Sequence, residues 1–490
     1  MLIEPLFAHA RATPQEIAVV DDIGPYSWQQ IAAMASGLGM YLAQQTQRPH
    51  VGLLLPSSAG FVASFYGTLL AGKSVVPINF LLGEREIAHV IENSGIDTVV
   101  TIPLLAGKLA GGALKIVDLT QLPKTPPAIA PKLPQRAADD MAVLMYTSGT
   151  SGLPKGVVLT YGNLQSDVDG CIEAAALQKK HRFLGIIPLF HGFGMTATML
   201  APVQLGSQTV YQARFSPASA VEAVRKHQAS IVFGVPSMFG AMLRVKDASA
   251  ADFGHIYTVI SGGEPLPAAL RQAFPARFGV PIHEGYGLTE TSPVVSLNTP
   301  QANRAGSVGR PLASVKVKIV DDQGCPVQRG SSGEVLLAGP MIMKGYYNLP
   351  AETAAALTAD GYLRTGDLGM IDGDGYLFIT GRKKELIIVA GEKVTPREVE
   401  DVLLSHPGVA EAAVIGRKDP TRGEAVVAFV VLRPEQPTRP EEIRAFCRDK
   451  GLPQFKVPRD VMVVEQLPRS PTGKVLKRVL AEKAEQSCKG

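Results

Sequence analysis

The chain has 490 residues, room for about three units of roughly 150 residues, some of them fused into one large domain. Hydrophobic residues make up 46% and charged residues 19%, and the 49 Gly and 37 Pro follow no period, which excludes disordered, coiled-coil and collagen-like chains. A net charge of +4 on 48 basic and 44 acidic residues is too near balance for a nucleic-acid binder.

The start, MLIEPLFAHA, carries Glu4 and no basic run, so no secretory leader is expected. Ser27-Trp28-Gln29-Gln30 has the spacing of a capping box and predicts a helix opening there. The apolar runs Val51–Leu55, Ser74–Ile78 and Ile96–Ile102 alternate with helical patterns at Ala59–Leu70 and Glu84–Asn93. Strands alternating with helices predict parallel α/β sheets. Leu122–Arg136, rich in Pro, reads as a loop. The rhythm returns at Ala142–Tyr146, Phe183–Ile187, Ser230–Val235 and Tyr257–Ser261. These runs are apolar throughout, as strands covered on both faces should be.

From Gly306 to Thr380 the runs shorten and alternate, as at Val315–Val320, Gly333–Ala338 and Gly375–Ile379, which predicts an antiparallel, β-rich subdomain. After Lys384 the charge density doubles: 34 of the 106 residues from 385 onward are charged, against 58 of the first 384. A small domain has more surface for its volume. A boundary is therefore expected at Lys384, with a large domain over 1–383 and a small α+β domain over 384–490. Thr395-Pro396-Arg397-Glu398 predicts a helix start with N-cap, Pro at N1 and capping-box Glu together. Strands are expected at Ala412–Ile415, Ala425–Val431 and Val461–Val464. The chain ends QSCKG, not a peroxisomal Ser-Lys-Leu tag.

The weakly charged stretches Phe61–Gly72 and Leu184–Gly206 are too short or too broken by Pro and Gly for a membrane span of about 20 apolar residues. Peripheral membrane contact stays open. Cys171, Cys325, Cys447 and Cys488 lie far apart, which argues against a zinc site or disulfide framework and fits a reducing, cytoplasmic setting.

Five segments could carry chemistry. Tyr146–Gly156, YTSGTSGLPKG, follows a predicted strand and gathers Thr147, Ser148, Gly149, Thr150, Ser151, Gly152 and Lys155. Hydroxyl and backbone donors at close approach, plus a cation, suit a polyphosphate. It is not a Walker A loop, since Lys155 precedes Gly156 rather than Ser or Thr. In Glu284–Thr291, EGYGLTET, Tyr286 offers a ring to a base, Thr289 a donor to phosphate and Glu290 a hard oxygen to Mg²⁺. Tyr362–Asp367 sets a carboxylate, expected on a tight turn, that could accept from ribose hydroxyls. Gly381–Glu385 alone reads as a charged linker, and Pro468–Lys477 as a surface hairpin with an exposed lysine.

Taken together, Ser148–Gly156, Tyr286–Glu290, Thr365–Asp367, Gly381–Lys384 and Pro471–Lys477 resemble, in order and spacing, the adenylate-forming superfamily. That superfamily comprises acyl-CoA synthetases, firefly luciferase and peptide-synthetase adenylation domains. The resemblance runs from about Leu6 to Leu480. It implies that a carboxylic acid attacks the α-phosphate of MgATP and that a thiol, CoA, then displaces AMP. By resemblance, Thr147–Lys155 hold the β- and γ-phosphates. Gly285 and Tyr286 border adenine with Glu264 nearby, and Thr289 meets the α-phosphate. Glu290 binds Mg²⁺, and Asp367 and Arg382 hold the ribose. Lys474 serves adenylation, Lys384 is the hinge, and Ile387–Glu392 is presented to the thiol after rotation.

Pro188–Met195, PLFHGFGM, resembles the acid-pocket wall, with His191 beside the reacting carboxyl, and Ser261–Pro265 resembles another wall. No acid stands in Pro188–Met195 to meet an α-ammonium, so an uncharged tail is expected. Glu284–Asn298 looks most like bacterial medium- and long-chain fatty acyl-CoA synthetases. Ile388 stands where firefly luciferase has a lysine used in its oxidative step. Gly381–Pro396 lacks the insertion of fatty acyl-AMP ligases, which favours CoA as acceptor. An aryl or short acid as substrate, an acyl carrier protein as acceptor, and a nucleotide-binding regulator without catalysis stay open, as does the oligomeric state.

Overall fold

In the computed structural model, which describes residues 2–109, 114–121, 132–147, 153–469 and 475–486, the first long helix begins where its capping residues put it. Ser27 Oγ accepts from Gln30 N at 3.3 Å, and Gln30 Oε1 accepts from Ser27 N at 2.7 Å. These bonds satisfy amides that no helical carbonyl can reach. The helix Trp28–Gln45 then packs on Ala59–Leu70. The two approach so closely that a Cβ on Gly39 would stand 2.9 Å from the Gly67 carbonyl oxygen.

The chain falls into two compact units, 1–266 with 273–317 and 337–363, and 267–272 with 318–336 and 364–490. Two sheets organise the first. One has seven described strands in the order Gly345–Tyr346, Lys155–Thr160, Met141–Thr147, Ser74–Pro77, His50–Leu54, Thr98–Thr101, Lys115–Asp118. Its five latter strands run parallel, while Lys155–Thr160 returns antiparallel on Met141–Thr147. The other sheet has nine strands, among them the parallel series Ile282–Gly287, Thr258–Ser261, Ile231–Gly234, Phe183–Gly185, Thr209–Tyr211 and Ile17–Val20. Most of these strands are buried along their length, as both-face coverage demands. The fold class is the one expected, a parallel α/β body with a β-rich part and a small α+β part.

Lys316–Val320, Gly333–Ala338, Leu363–Ile371 and Leu377–Arg382, most of whose residues belong to the second unit, form a four-stranded sheet. A five-stranded sheet is centred on Gly423–Leu432. Val426, Ala428 and Val430 of that strand join one core with Val399 and Ile443, while Val427 and Phe429 join another with Leu480 and Ala484. The period of two thus covers both faces of the sheet with helices. The boundary read at Lys384 lies inside this unit.

Two local expectations are corrected. Thr395 does stand at the N-cap of Pro396–Leu404, but its side chain makes no cap bond. Glu398 instead takes Lys456 Nζ at 2.7 Å, and the Thr395 methyl lies against Gly381. Asp367 is not on a tight turn. It sits inside the strand Leu363–Ile371, opposite Arg382, as the terminal rung of the antiparallel ladder with Leu377–Arg382.

Candidate active site

The parallel strands Phe183–Gly185, Ile231–Gly234, Thr258–Ser261 and Ile282–Gly287 lie side by side, Gly185 opposite Phe233 and Ser261 opposite Glu284. Their carboxyl ends release Pro188–Met195, Val235, Gly262–Glu264 and Leu288–Thr291 at one edge. The chain leaves Phe183–Gly185 to a strand on one side, Thr209–Tyr211, and then crosses to Ile231–Gly234 on the other. Ligands of parallel sheets bind at such a switch point, where diverging connections open a crevice.

On this edge Glu284 is buried and its Oε1 accepts from Leu266 N at 3.1 Å, which fixes the Gly262–Leu266 segment to the next strand. Gly263 takes φ +81°, a conformation open to glycine, to turn the chain before half-buried Glu264. Gly285 and Tyr286 are half-buried on the strand, and a Cβ on Gly285 would stand 2.7 Å from Leu297 Cδ2. Asp167, fully buried on the helix Tyr161–Ala174, accepts from Val294 N at 3.1 Å and so anchors the adjoining strand Val294–Leu297. Burial pushes its carboxyl well above the usual range, against the pull of that one amide.

Thr147 pairs with Lys155 as the last rung of the Met141–Thr147/Lys155–Thr160 ladder, so that rung closes the hydroxyl- and glycine-rich loop. Ser148, Gly149, Thr150, Ser151 and Gly152 lie outside the described residues. Lys155 Nζ stands 5.4 Å over the Tyr346 ring. The Tyr346 hydroxyl donates to Glu290 Oε1 at 2.8 Å, and Met343 N donates to the Glu290 carbonyl at 2.8 Å. Burial first, and the Glu290 charge second, push the Tyr346 phenol upward, so it stays a donor. Cation, ring and carboxylate therefore form one held series. Thr289 and Glu290 sit in a short 3₁₀ turn, which Thr291 Oγ1 closes by accepting from Leu288 N at 3.0 Å.

The segment bearing His191 is pinned at both ends. Ser57 Oγ accepts from Leu189 N at 3.1 Å, and Thr196 Oγ1 donates to the Ser292 carbonyl at 2.9 Å. His191 is half-buried, 4.7 Å from the Phe190 ring centre. Leu189 and Met195 are buried, and Phe193 meets Phe233 edge-on at 5.7 Å. A Cβ on Gly262 would stand 3.1 Å from the Phe193 ring, so the aromatic occupies the room the glycine leaves.

In the second unit, Arg382 Nε donates to Asp367 Oδ1 at 3.0 Å, with Asp367 buried and Arg382 partly exposed. Thr365 Oγ1 accepts from Asp367 N at 3.0 Å and donates to the Val335 carbonyl at 2.7 Å. Lys384 is exposed in the 3₁₀ turn Lys383–Glu385, beside Lys383, whose Nζ meets Glu334 Oε2 at 2.8 Å. Lys474 lies outside the described residues. The stem of its loop is described: Arg469 bridges Val475, and Leu476 N donates to the Pro468 carbonyl at 2.8 Å. The hairpin Ile387–Val389/Glu392–Val394 turns on Ala390 and Gly391, both at positive φ, with Ile388 exposed.

Residues 6–347 match the AMP-binding enzyme family, and residues 398–474 match the AMP-binding enzyme C-terminal domain. The chain belongs to the AMP-binding enzymes. A long-chain-fatty-acid–CoA ligase of Bacillus subtilis is 34% identical, over 88% of this chain and 85% of its own. A feruloyl-CoA synthase of an Amycolatopsis species is 34% identical over 96% of each chain. The o-succinylbenzoate CoA synthetase of Bacillus subtilis, solved in complex with ATP and magnesium ion, superposes with a TM-score of 0.86 at 30% identity, over 97% of this chain and 98% of its own. As a member of this adenylate-forming superfamily the chain is an AMP-forming acid–thiol ligase, an acyl-CoA ligase working through an adenylate. Enzymes of this class use ATP with Mg²⁺ and CoA.

The described residues fit such a magnesium ion. They contain no cluster of three His, Cys, Asp or Glu that would form an all-protein cage. Mg²⁺ is held instead through one or two carboxylates, substrate phosphates and water. Glu290, with one oxygen fixed by Tyr346, supplies a carboxylate of that kind. Among the described residues no helix is long and apolar enough to cross a membrane.

Sequence reading passed over Tyr346 and Glu284. Tyr346 stands in a Lys-Gly-Tyr-Tyr-Asn run with no periodic signal of its own. The pairing of Gly345–Tyr346 with Lys155–Thr160 and the Met343 amide on the Glu290 carbonyl bring it to Glu290.

Proposed function

We propose that this ligase activates a medium- or long-chain fatty acid and passes the acyl group to CoA. The observation that carries the reading is the wall Pro188–Met195: no acid, Leu189 and Met195 buried, Phe193 half-buried. A fatty-acid ligase among the relatives supports it. In the first half-reaction a carboxylate oxygen attacks the α-phosphorus of ATP, the bond to the bridging oxygen breaks, and pyrophosphate leaves. In the second the CoA sulfur attacks the acyl carbon, AMP leaves with the bonding pair, and the thiol proton passes to solvent.

The residue roles proposed are these. Thr147, Lys155 and the loop between them bind the β- and γ-phosphates. Gly285 and Tyr286 border the adenine near Glu264, and Asp367, oriented by Arg382, accepts from the ribose. Thr289 and Lys474 stabilise charge that grows at the α-phosphoryl centre, and His191 orients the acid's carboxylate. Mg²⁺ at Glu290 neutralises phosphate charge when bound. Lys384 is the pivot that withdraws Lys474 and presents Ile387–Glu392 for thiolysis.

A second reading, an aryl acid, is favoured by the aromatic pair Phe193 and Phe233 beside this wall, whose rings could pack against a flat acid. One panel separates them: pyrophosphate release with CoA across saturated acids and hydroxycinnamates, repeated with acyl carrier protein. The fatty-acid reading expects kcat/KM to rise by up to about fourfold per added methylene until the pocket fills, the equivalent of ~0.8 kcal/mol each. A hydroxycinnamate preferred over decanoate would replace it with the aryl reading.

A further inference from the structure

Lys477 is the first residue of the helix Lys477–Gln486, where a cation opposes the helix dipole, so its place needs another cause. Its Nζ meets Glu385 Oε2 at 3.0 Å and Glu400 Oε1 at 2.9 Å, with side-chain exposures of 27% for Lys477, 34% for Glu385 and 19% for Glu400. Glu385 closes the turn Lys383–Glu385, directly after Lys384. Glu400 lies on the helix Pro396–Leu404, and its Oε1 also accepts from Val414 N at 2.8 Å. Burial alone would pull the lysine's pKa down, but the two carboxylates outweigh it and hold the ammonium above its ordinary value. One buried charge therefore joins the helix that follows the Lys474 loop to the turn at Lys384 and to the central sheet of the small domain. On the opposite side of that loop, Arg469 Nη2 meets Glu411 Oε2 at 2.7 Å.

We propose that Lys477 is a positioning residue that locks the stem of the Lys474 loop to the first residue beyond the pivot, so that both turn as one body. The proposal rests on the roles given above to Lys474 and Lys384. Without the lock, rotation about Lys384 would still occur, but the loop would arrive with slack. Misplacement by an ångström suffices to slow a positioned reaction strongly. Thioester formation, in which the loop is withdrawn, needs no such register.

The test uses the full chain and separates the half-reactions: pyrophosphate exchange for adenylation, and acyl-CoA formation from supplied acyl-AMP. Lys477→Met is expected to lower adenylation kcat about tenfold or more, with KM for ATP and thioester formation within about twofold of wild type. Lys477→Arg should restore most of the rate, since it keeps the charge. Glu385→Gln leaves Glu400 to hold the lysine, so the fold persists, and adenylation should fall about threefold with thiolysis unaffected. Both Glu385→Gln and Lys477→Met losing the two half-reactions equally, in step with a lowered melting temperature, would overturn the proposal in favour of a purely structural ion pair. No loss of adenylation in either variant would overturn it too. Lys474→Ala is run alongside. If it abolishes adenylation while Lys477→Met does not, the lock alone fails. If it leaves adenylation intact, the role of Lys474 fails and takes the lock with it.

Discussion

The sheet edge of the first unit and the segment around Lys384 in the second hold their chemistry by different means. At the sheet edge, backbone pairing and buried side-chain-to-backbone hydrogen bonds fix the geometry: Thr147 by its pairing with Lys155, Glu284 by an amide, the His191 segment by Ser57 and Thr196. Around Lys384 the fixing is by charge: Asp367 with Arg382, Glu334 with Lys383, and Lys393 with Asp322, each with a partly exposed cation, beside the more deeply buried Lys477 with its two carboxylates. Ladders are all-or-none and dry. Ion pairs at partly exposed positions are each worth at most about 1 kcal/mol, are screened by salt, and can break and re-form. A scaffold that must not move uses the first means, and a part proposed to rotate uses the second.

The largest effects should fall on the side of that comparison proposed to rotate. Lys474→Ala should cut adenylation by about 10²–10³, the scale of losing one transition-state donor, while acyl-CoA still forms from supplied acyl-AMP. Lys384→Pro should do the reverse. Proline fixes φ near about −65° and restricts the residue before it, so a folded variant held in the adenylating orientation should make acyl-AMP and little thioester. Circular dichroism and single-turnover assays read both. A folded Lys384→Pro protein with wild-type acyl-CoA output would remove the pivot.

Intermediate effects probe the charged and held groups directly. Asp367→Ala should raise the apparent KM for ATP about tenfold, the cost of one charge-assisted hydrogen bond, with a smaller change in kcat. Tyr346→Phe removes only the hydroxyl that fixes Glu290. It should raise the Mg²⁺ concentration needed for half-maximal adenylation severalfold, and a magnesium titration at fixed ATP reads this. An unchanged titration would mean that Glu290 needs no such support.

The smallest effect tests the dry side. Asp167 is buried with its carboxyl pushed well above the usual range. The folded state thus keeps a proton that the unfolded chain loses near pH ~4. Its contribution to stability is full below that pH and is lost as pH rises through the raised folded value. Asp167→Asn keeps an acceptor for Val294 N and cannot ionise. Its melting temperature should exceed that of wild type by about 1–3 °C at pH 8, the gain fading toward pH ~4. A gain that grows on acidification would contradict a neutral buried carboxyl.

Much of the fold was legible because each strand of a covered parallel sheet is an unbroken apolar run, and because Ser27 and Gln30 signal a helix start by spacing alone. Motif order likewise identified the family, since hydroxyls, glycines and a lysine crowd into one loop. What sequence could not show was pairing across distance. Asp367 read as a turn residue because Gly366 precedes it, whereas the ladder to Arg382 makes it a strand. Thr395 and Glu398 carry the letters of a capping box, yet Lys456, distant in sequence, takes the carboxylate. Tyr346 gave no signal and Lys477, though inside the Pro471–Lys477 motif, gave no role of its own, because their meaning lies in the partners that folding brings them.

The short strand Gly345–Tyr346 lies on Lys155–Thr160, Tyr346 opposite Val157, at the end of the seven-stranded sheet. That rung joins positions made far apart in time. At about 5–20 residues per second, a ribosome delivers Tyr346 roughly 10–40 s after Val157. By the end of that interval the nascent chain carries Lys155, the His191 segment and Glu290, but until Tyr346 emerges it lacks the hydroxyl that holds the Glu290 carboxylate. The Lys155–Glu290 end of the first unit is thus completed after the His191 segment, and on the roles proposed above a chain still being synthesised has no finished site at which to spend ATP before it has a place for the acid.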